Sequence, residues 1–146
     1  KKDEIVEVPG LKTFKDDKGN PIPFQIRKLG TSKLNEIRKA FTIKKIAKDE
    51  RGKQIFSKAG EPIFSIEYEQ SKAANKIIVD SLVFPNLYDK ELMDFYGCVD
   101  ALEMPMVLFK DPIDYKYISE QVMMVNGISE KEEMSDEELV DYAKNS

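Results

Sequence analysis

The stretch GNPIPFQIRKL, Gly19 to Leu29, decides how the first part of the chain folds. Apolar side chains occupy every second position, at Ile22, Phe24 and Ile26. This alternation is typical of a β-strand with one buried face. Two prolines open the stretch, and because proline has no N–H to donate, the strand must begin at a sheet edge or be only partly paired. We predict the return strand of a hairpin here, rather than a proline-rich ligand or a docking strand for nucleic acid.

The residues before this stretch predict its partner strand. EIVEV, Glu4 to Val8, alternates in the same way and stops at the turn pair Pro9-Gly10. DDKGN, Asp16 to Asn20, combines residues that favour tight turns. We therefore predict a β-hairpin region over residues 1–30, with a small antiparallel sheet and one apolar face at residues 4–29.

Residues 31–48, TSKLNEIRKAFTIKKIAK, predict an amphipathic helix. Leu34, Ile37 and Phe41 follow one another at spacings of three and four residues, which places them on one helix face. The opposite face is basic, and such a face suits nucleic acid or an anionic membrane. We favour a solvated face whose cations lie toward the negative C-terminal end of the helix.

The rest of the chain divides into a short break and a long helical region. Residues 49–64 predict a second hairpin or a mobile loop, because two glycines and a proline interrupt the helical pattern between two Ile-Phe pairs. Residues 65–146 predict helices: one from about Ser65 to Pro85, shorter ones that begin at capping aspartates, and a last one after Ser135. The capping aspartates are Asp89, Asp100 and Asp111.

Strands come first in this order and helices follow, which predicts an α+β fold, mainly α. We expect a small N-terminal antiparallel sheet or hairpin, followed by a compact bundle of about five helices. The chain has 146 residues, which fits a single domain over residues 1–146.

The composition argues against catalysis. The chain has no histidine and only one cysteine, Cys98. It therefore lacks the side chain most used for proton transfer near neutral pH, and it cannot build Ser-His-Asp, Cys-His or ordinary zinc sites. We expect no catalytic residues, no metal and no cofactor.

Charge is distributed unevenly along the chain. Residues 1–60 contain 16 Lys and Arg against 8 Asp and Glu, whereas residues 61–146 contain 7 against 19. A basic half can bind nucleic acid. It can equally attract the acidic half of another copy, or be neutralised across a folded core, and we favour these last two interpretations. A homo-oligomer stays open on this ground.

Hydropathy predicts a cytoplasmic protein. No apolar run approaches the roughly 20 residues that a membrane-spanning helix needs, and the first residues carry no signal-peptide pattern. We therefore expect no membrane partner.

Methionines are concentrated in the acidic half, and their flexible side chains adapt to varied apolar partners. Five lie between positions 104 and 134: Met104, Met106, Met123, Met124 and Met134. Core filling is the favoured explanation, although a chaperone would use such residues.

Several ordered landmarks now resemble one family. DDKGNPIPFQIRKL, LNEIRK, SLVFPNLYDKELMDFYG, VNG and LVDYAKN, between about Val6 and Asn145, are similar to the XkdN-like phage tail assembly chaperones of phages and PBSX-type prophages. The matching positions are Gly19, Pro23, Phe24, Arg27, Leu29, Pro85, Leu92, Tyr96, Gly97, Gly127, Ala143, Lys144 and Asn145. The segment 49–64 and Pro105 match the pattern less well.

The resemblance implies a protein without catalytic activity that works in the cytoplasm of the bacterial host and is absent from the mature virion. Its expected partner is the tape measure protein, a long helical apolar chain, and its assistance to tail tube assembly makes the tail tube protein a second possible partner. Helix-in-groove binding would suit such a client.

We place the binding groove, as a hypothesis, among the helices of residues 66–126. The candidate contacts are Phe95 and Tyr96 or Met123 and Met124, with Phe56 and Phe64 on a projecting hairpin as further candidates. The rival hypothesis is a small nucleic-acid-binding or regulatory phage protein that uses the basic N-terminal half. Its contacts would be Arg27, Lys28, Arg38, Lys39, Lys44 and Lys45. We do not favour nucleic acid as a partner.

Overall fold

The computed structural model describes residues 4–128. In this part of the chain it has strands β1 (Ile5–Val8), β2 (Phe24–Arg27), β3 (Thr42–Ile46), β4 (Phe64–Tyr68) and β5 (Leu82–Phe84). Its helices are α1 (Thr31–Ala40), α2 (Gln70–Ser81), α3 (Lys90–Phe95), α4 (Met104–Leu108) and α5 (Pro112–Val125), with a 3-10 helix at Ala101–Glu103. The α+β mixture is confirmed.

The predicted strand at Phe24–Arg27 is the centre of a three-stranded antiparallel sheet in the order β1-β2-β5. Val8 pairs with Phe24, and Ile5 pairs with Arg27. Phe24 and Ile26 have no solvent exposure, while Gln25 points outward. The prolines precede the first residue of β2, so a central strand does not need their missing N–H groups.

Helices α2 and α5 cover the buried face of this sheet. Ile78 of α2 and Ile118 and Val122 of α5 are fully buried together with Phe24. The ring of Phe109 meets Phe24 edge to face at 5.9 Å between centroids. These residues form the core of what we call the body, residues 4–40 and 70–128.

Asn126, directly after α5, joins three segments of the body. Its Oδ1 accepts a hydrogen bond from the Leu29 backbone N–H at 2.7 Å. Its Nδ2 donates to the hydroxyl of the buried Ser81 at 3.1 Å and to the Val122 carbonyl at 2.9 Å. One amide therefore fixes the ends of α5, α2 and the segment after β2.

The prediction of one helix over residues 31–48 is wrong in its second half, because α1 ends at Ala40. Thr42, Ile43 and Ile46 are β-branched and favour extended backbone, and β3 finds a partner in β4 through the pairs Thr42–Tyr68 to Ile46–Phe64. The helix that the apolar spacing predicts is therefore formed only by the first ten residues, Thr31–Ala40.

The predicted helix from about Ser65 to Pro85 is also shorter than expected. Its first residues belong to β4, and its last belong to β5, where Leu82 pairs with Ile26 and Phe84 with Gln25. The region 65–146 is thus not purely helical, and the sheet is more than an N-terminal hairpin.

The capping aspartates are confirmed. Asp89, Asp100 and Asp111 each accept a hydrogen bond from a backbone N–H of the turn they precede, at 3.1, 2.9 and 2.9 Å. Pro112 occupies the first turn of α5, as its missing N–H allows. The helix predicted after Ser135 lies outside the described residues, and the single domain stays a prediction.

Candidate protein-binding surfaces

Residues Thr42 to Tyr68 form an arm with an unusual exposure pattern. The structure describes every residue from Phe41 to Gln70, and none of them is buried. The arm therefore gains little stability from the hydrophobic core, so backbone hydrogen bonds and turns must keep it ordered.

The base of the arm is the antiparallel pair β3–β4. Lys45 and Glu67 form an ion pair on one face, and the hydrogen bond that the Lys45 ammonium donates to Glu67 raises the pKa of Lys45. The Nζ of Lys44 lies 4.7 Å from the ring centroid of Phe64, a cation–π contact. Both pairs join the two strands. Tyr68, where the arm meets the body, is partly buried, and this partial burial raises its pKa.

Beyond this ladder the backbone closes a ring of three hydrogen bonds. The N–H of Ala47 donates to the Ile63 carbonyl at 2.8 Å. The N–H of Ile63 donates to the Ile55 carbonyl at 3.0 Å, and the N–H of Ile55 donates to the Ala47 carbonyl at 3.0 Å. Three segments of the arm thus meet at one point, which orders its outer end without burial.

Two tight turns project from this ring, DERGK at 49–53 and SKAGE at 57–61. In each, the fourth residue is a glycine at positive φ, Gly52 at 80° and Gly60 at 81°. Asp49 accepts hydrogen bonds from two backbone N–H groups of its own turn, at 2.9 Å each. The turn predicted at DDKGN, residues 16–20, has the same geometry: Gly19 has a φ of 82°, and Asp16 accepts hydrogen bonds from the N–H groups of Lys18 and Asn20 at 2.9 Å each.

The segment 49–64, expected as a second hairpin or a mobile loop, is therefore built from two successive turns on the end of the β3–β4 pair. Its apolar side chains stay in solvent: Phe56 is 54% exposed and Phe64 is 44% exposed. The arm surface, as we name it, consists of Ile46, Ile55, Phe56, Ile63 and Phe64.

A second exposed apolar surface lies at the end of α3. Phe95 is 80% exposed, Val99 is 95% exposed, and Tyr96 contacts the Phe95 ring edge to face at 5.0 Å. The helix turns Leu92 and Met93 toward the core, which leaves its last residues outside. We name Phe95, Tyr96 and Val99 the α3 surface.

The surroundings of the α3 surface are acidic. Between Asn86 and Glu103 there are five carboxylates and a single cation, Lys90. The carboxylates belong to Asp89, Glu91, Asp94, Asp100 and Glu103. Along the chain, acidic residues therefore surround this apolar surface on both sides, which favours a partner that offers apolar and basic residues together.

A groove of about 710 Å³ lies between the end of β2, α1 and the loop after β5. The Asp80 carboxylate accepts a hydrogen bond from the Tyr88 hydroxyl and lies 3.3 Å from Lys76 Nζ and 3.7 Å from Lys33 Nζ. Burial and the hydrogen bond to Asp80 raise the pKa of Tyr88. These charges are paired with one another, so the network holds α1, α2 and the loop together.

The predicted binding residues fall in different places. Phe56 and Phe64 lie on the arm surface and Phe95 and Tyr96 on the α3 surface, while Met124 is exposed on α5 and Met123 packs partly against the core. The facing sides of α2 and α5 are closed by Ile78, Ile118 and Val122, all without solvent exposure. A smaller groove of about 360 Å³ lies between α1, Ile77 of α2 and the residues after α5.

The cations of the rival hypothesis are largely engaged within the chain. Arg27 donates to the Asp80 carbonyl at 3.4 Å, and Lys28 lies 3.1 Å from a Glu4 carboxylate oxygen. Lys44 and Lys45 have the arm contacts described above. Arg38 and Lys39 occupy the last turn of α1, where cations favour the helix dipole.

Most residues of the family pattern support the fold. Phe24 lies in the core, and Leu92 packs against it. Pro23 directly precedes β2, and Arg27 is the last residue of that strand. The Phe84-Pro85 peptide is cis. Gly19, Gly97 and Gly127 have positive φ, where glycine is preferred. Leu29 is held by Asn126, and Ala143, Lys144 and Asn145 lie outside the described residues.

Sequence patterns located part of the two surfaces. The two Ile-Phe pairs pointed to the arm, whereas Val99 was missed because one valine after a short helix forms no pattern. Within residues 4–128 no group of three potential ligands that could hold a metal is present, and no helix there is long and apolar enough to cross a membrane.

Comparison with known proteins places the chain among phage proteins. The family model of the phage XkdN-like tail assembly chaperone protein matches residues 1–144. The chain is 28% identical to the Bacillus subtilis (strain 168) protein YqbN over 142 residues, which cover 97% of this chain and 85% of YqbN. It is 26% identical to the phage-like element PBSX protein XkdN of the same organism over 135 residues, which cover 92% and 83% of the two chains.

The crystal structure of protein YqbN has a similar fold, with a TM-score of 0.66 at 23% identity over 87% of each chain. The family match supports a part in phage tail assembly, with phage tail proteins as partners. The chain belongs to the XkdN-like phage tail assembly chaperone family.

Proposed function

We propose that this protein is a non-catalytic chaperone that binds the tape measure protein through exposed apolar side chains and keeps it soluble while the tail tube assembles. It acts in the cytoplasm of the bacterial host and is not part of the mature virion. The observation that carries the proposal is the arm: 27 residues, Thr42 to Tyr68, without a buried side chain and with five large apolar ones exposed.

Exposed apolar side chains in one place mark a surface that a partner covers. A tape measure chain without its tube exposes long apolar helix faces of its own, which would aggregate. The arm surface offers Ile and Phe side chains on a backbone ordered by turns and the ring of hydrogen bonds. Because that order does not depend on burial, the side chains are free to contact the client.

The α3 surface supplies a second contact, and the acidic residues that flank it along the chain would complement basic residues on the client. Phe95, Tyr96 and Met124 are exposed and stay candidate contacts. Met123 packs partly against the core, so less of it is free for a client.

Co-expression with the tape measure protein tests the proposal. The soluble fraction of the tape measure protein should rise when this protein is present, and the two should co-purify. Replacing two arm aromatics, Phe56→Ser with Phe64→Ser, should reduce both effects. Ile113→Ser is the matched control, since Ile113 is 77% exposed but lies on α5, outside both surfaces. An unchanged soluble fraction of the tape measure protein with and without the wild-type chain would refute the proposal.

A further inference from the structure

The groove of about 360 Å³ lies where the described part of the chain ends. Leu34 of α1, Ile77 of α2, Tyr68 at the end of β4 and Ile128 contribute apolar side chains to its lining. Leu34, Tyr68 and Ile128 are only partly buried against the core. Arg38 is the only charged residue in the described lining. The groove therefore suits an occupant that offers apolar and acidic residues together.

The charge of Arg38 is not balanced by a carboxylate within residues 4–128. Ion pairs in this part of the chain engage Lys33, Lys45 and Lys76, but not Arg38. Burial raises the pKa of Tyr68 and the charge of Arg38 opposes that rise, so the guanidinium lies close enough to act on the Tyr68 hydroxyl in the groove. A carboxylate that enters the groove would therefore meet a cation that has no other acidic partner there.

The segment that follows Ile128 has the complementary charge and begins at the groove. Gly127, with a φ of 71°, and the hydrogen bond from the Ile128 N–H to the Met123 carbonyl at 2.8 Å end α5 and turn the chain into the groove lining. Residues 129–146, outside the described residues, contain seven Asp and Glu against two Lys, which leaves a net charge of −5. As a helix they would span up to about 27 Å, against about 15 Å for α1, so they can follow the whole groove.

The same segment also carries an apolar face. In the helix predicted after Ser135, Leu139, Tyr142 and Ala143 are spaced three and four residues apart and therefore share one side. Asp136 and Glu138 border that side in the same helical projection. An apolar face bordered by carboxylates matches an apolar groove with one cation.

We propose that residues 129–146 dock in the groove beside α1 of their own chain. The apolar side of the predicted helix covers Leu34 and Tyr68, and its carboxylates lie beside Arg38. Because Leu34 belongs to the body and Tyr68 to the arm, the docked segment contacts both and restricts the orientation of the arm. This docking does not depend on the proposed function.

A fluorescence experiment on the full chain tests the docking. The sequence has no tryptophan, so one introduced indole reports its own surroundings without background. Leu139→Trp, or Tyr142→Trp as a second reporter, places the indole on the docking side, whereas Lys144→Trp places it away from that side of the same predicted helix. Emission of the first two should be blue-shifted and shielded from acrylamide, and that of Lys144→Trp should resemble free indole in water. Neither result should change with protein concentration, because the docking is within one chain.

Charge variants made in the Leu139→Trp chain locate the segment in the groove. Arg38→Gln removes the cation, and Asp136→Asn with Glu138→Gln removes two carboxylates at nearly constant size. Each should weaken docking about two- to fivefold, measured by acrylamide quenching. All three substitutions together should cost less than the sum of the separate effects, because they remove the same contact. Lys39→Gln is the matched control, since Lys39 is on α1 but outside the groove lining, and it should leave the quenching unchanged.

Three results would overturn the proposal, once circular dichroism and thermal unfolding have shown that each variant folds. Indoles at positions 139 and 142 that are as accessible as the one at 144 would leave the groove to another occupant, such as a phage tail protein. Shielding that grows with protein concentration would place the segment on a second copy. Additive effects of Arg38→Gln and the carboxylate variant would show that these charges do not meet.

Discussion

The body and the arm are both built on antiparallel strands, yet they are stabilised in different ways. In the body, Phe24, Ile78 and Ile118 have no exposure, so burial of apolar surface holds strand to helix. In the arm no side chain is buried, and turns, cross-strand pairs and a ring of backbone hydrogen bonds hold it together. The comparison teaches that the residues that stabilise the body are buried together, whereas the large apolar residues of the arm stay exposed.

The largest expected effect comes from Phe24→Ala, which removes a fully buried ring from the centre of the sheet. The substitution removes the contacts of this ring, including the edge-to-face contact with Phe109, and leaves a cavity. Together these changes should lower the free energy of unfolding by about 3–5 kcal/mol. Urea unfolding followed by circular dichroism measures this.

The matched change in the arm is Phe56→Ala, the same substitution at a ring that is half exposed. It should alter the free energy of unfolding by no more than about 0.5 kcal/mol, as surface substitutions usually do. If both variants lose similar stability, the arm is part of the core and the comparison is wrong.

The two regions also differ in how far their sequence predicts them. Strand β2 was predicted because its alternation is local and its buried positions, Phe24 and Ile26, face one core. Strands β3 and β5 were missed because each is defined by a distant partner: Thr42 pairs with Tyr68, and Leu82 pairs with Ile26. A short apolar segment fits a helix or a strand equally well until its partner is known.

The candidate surfaces were only partly predictable for a related reason. Exposure of Phe95 depends on which side of helix α3 faces the core. With only six residues, α3 is too short for the spacing of its apolar residues to show which side that is. Met123 and Met124 are adjacent in sequence, yet one packs against the core and the other is in solvent. The residue types alone favoured a binding protein. Which of these residues are exposed to solvent depends on tertiary packing.

The next effect in size concerns glycine in the body. A Cβ on Gly10 would lie 2.0 Å from the carbonyl oxygen of Ile22, which is backbone and cannot rotate away. Gly10→Ala should therefore force the segments after β1 and before β2 apart, at a cost of about 1–3 kcal/mol, the usual range for overpacking. Thermal unfolding should show a lower midpoint.

Gly30→Ala is its control in the body, because a Cβ there meets nothing within 4 Å and its φ of −75° is open to any residue. Its midpoint should stay close to that of the wild type. A Gly10→Ala protein as stable as this control would mean that the close approach to Ile22 does not constrain the body.

The smallest effect on global stability should come from Gly52→Ala in the arm. Space is free around Gly52, but its φ of 80° is a left-handed conformation that costs an alanine about 1–2 kcal/mol. Because the arm shares no buried side chain with the body, the strain should open the DERGK turn and leave the unfolding midpoint of the body nearly unchanged. Amide hydrogen exchange should then accelerate at Lys53 and Ile55, whose N–H groups donate to Asp49 and Ala47, and not at Ile118. Equal acceleration in the arm and in α5 would show that the two regions unfold as one unit, and the separation of fold from partner surface would have to be abandoned.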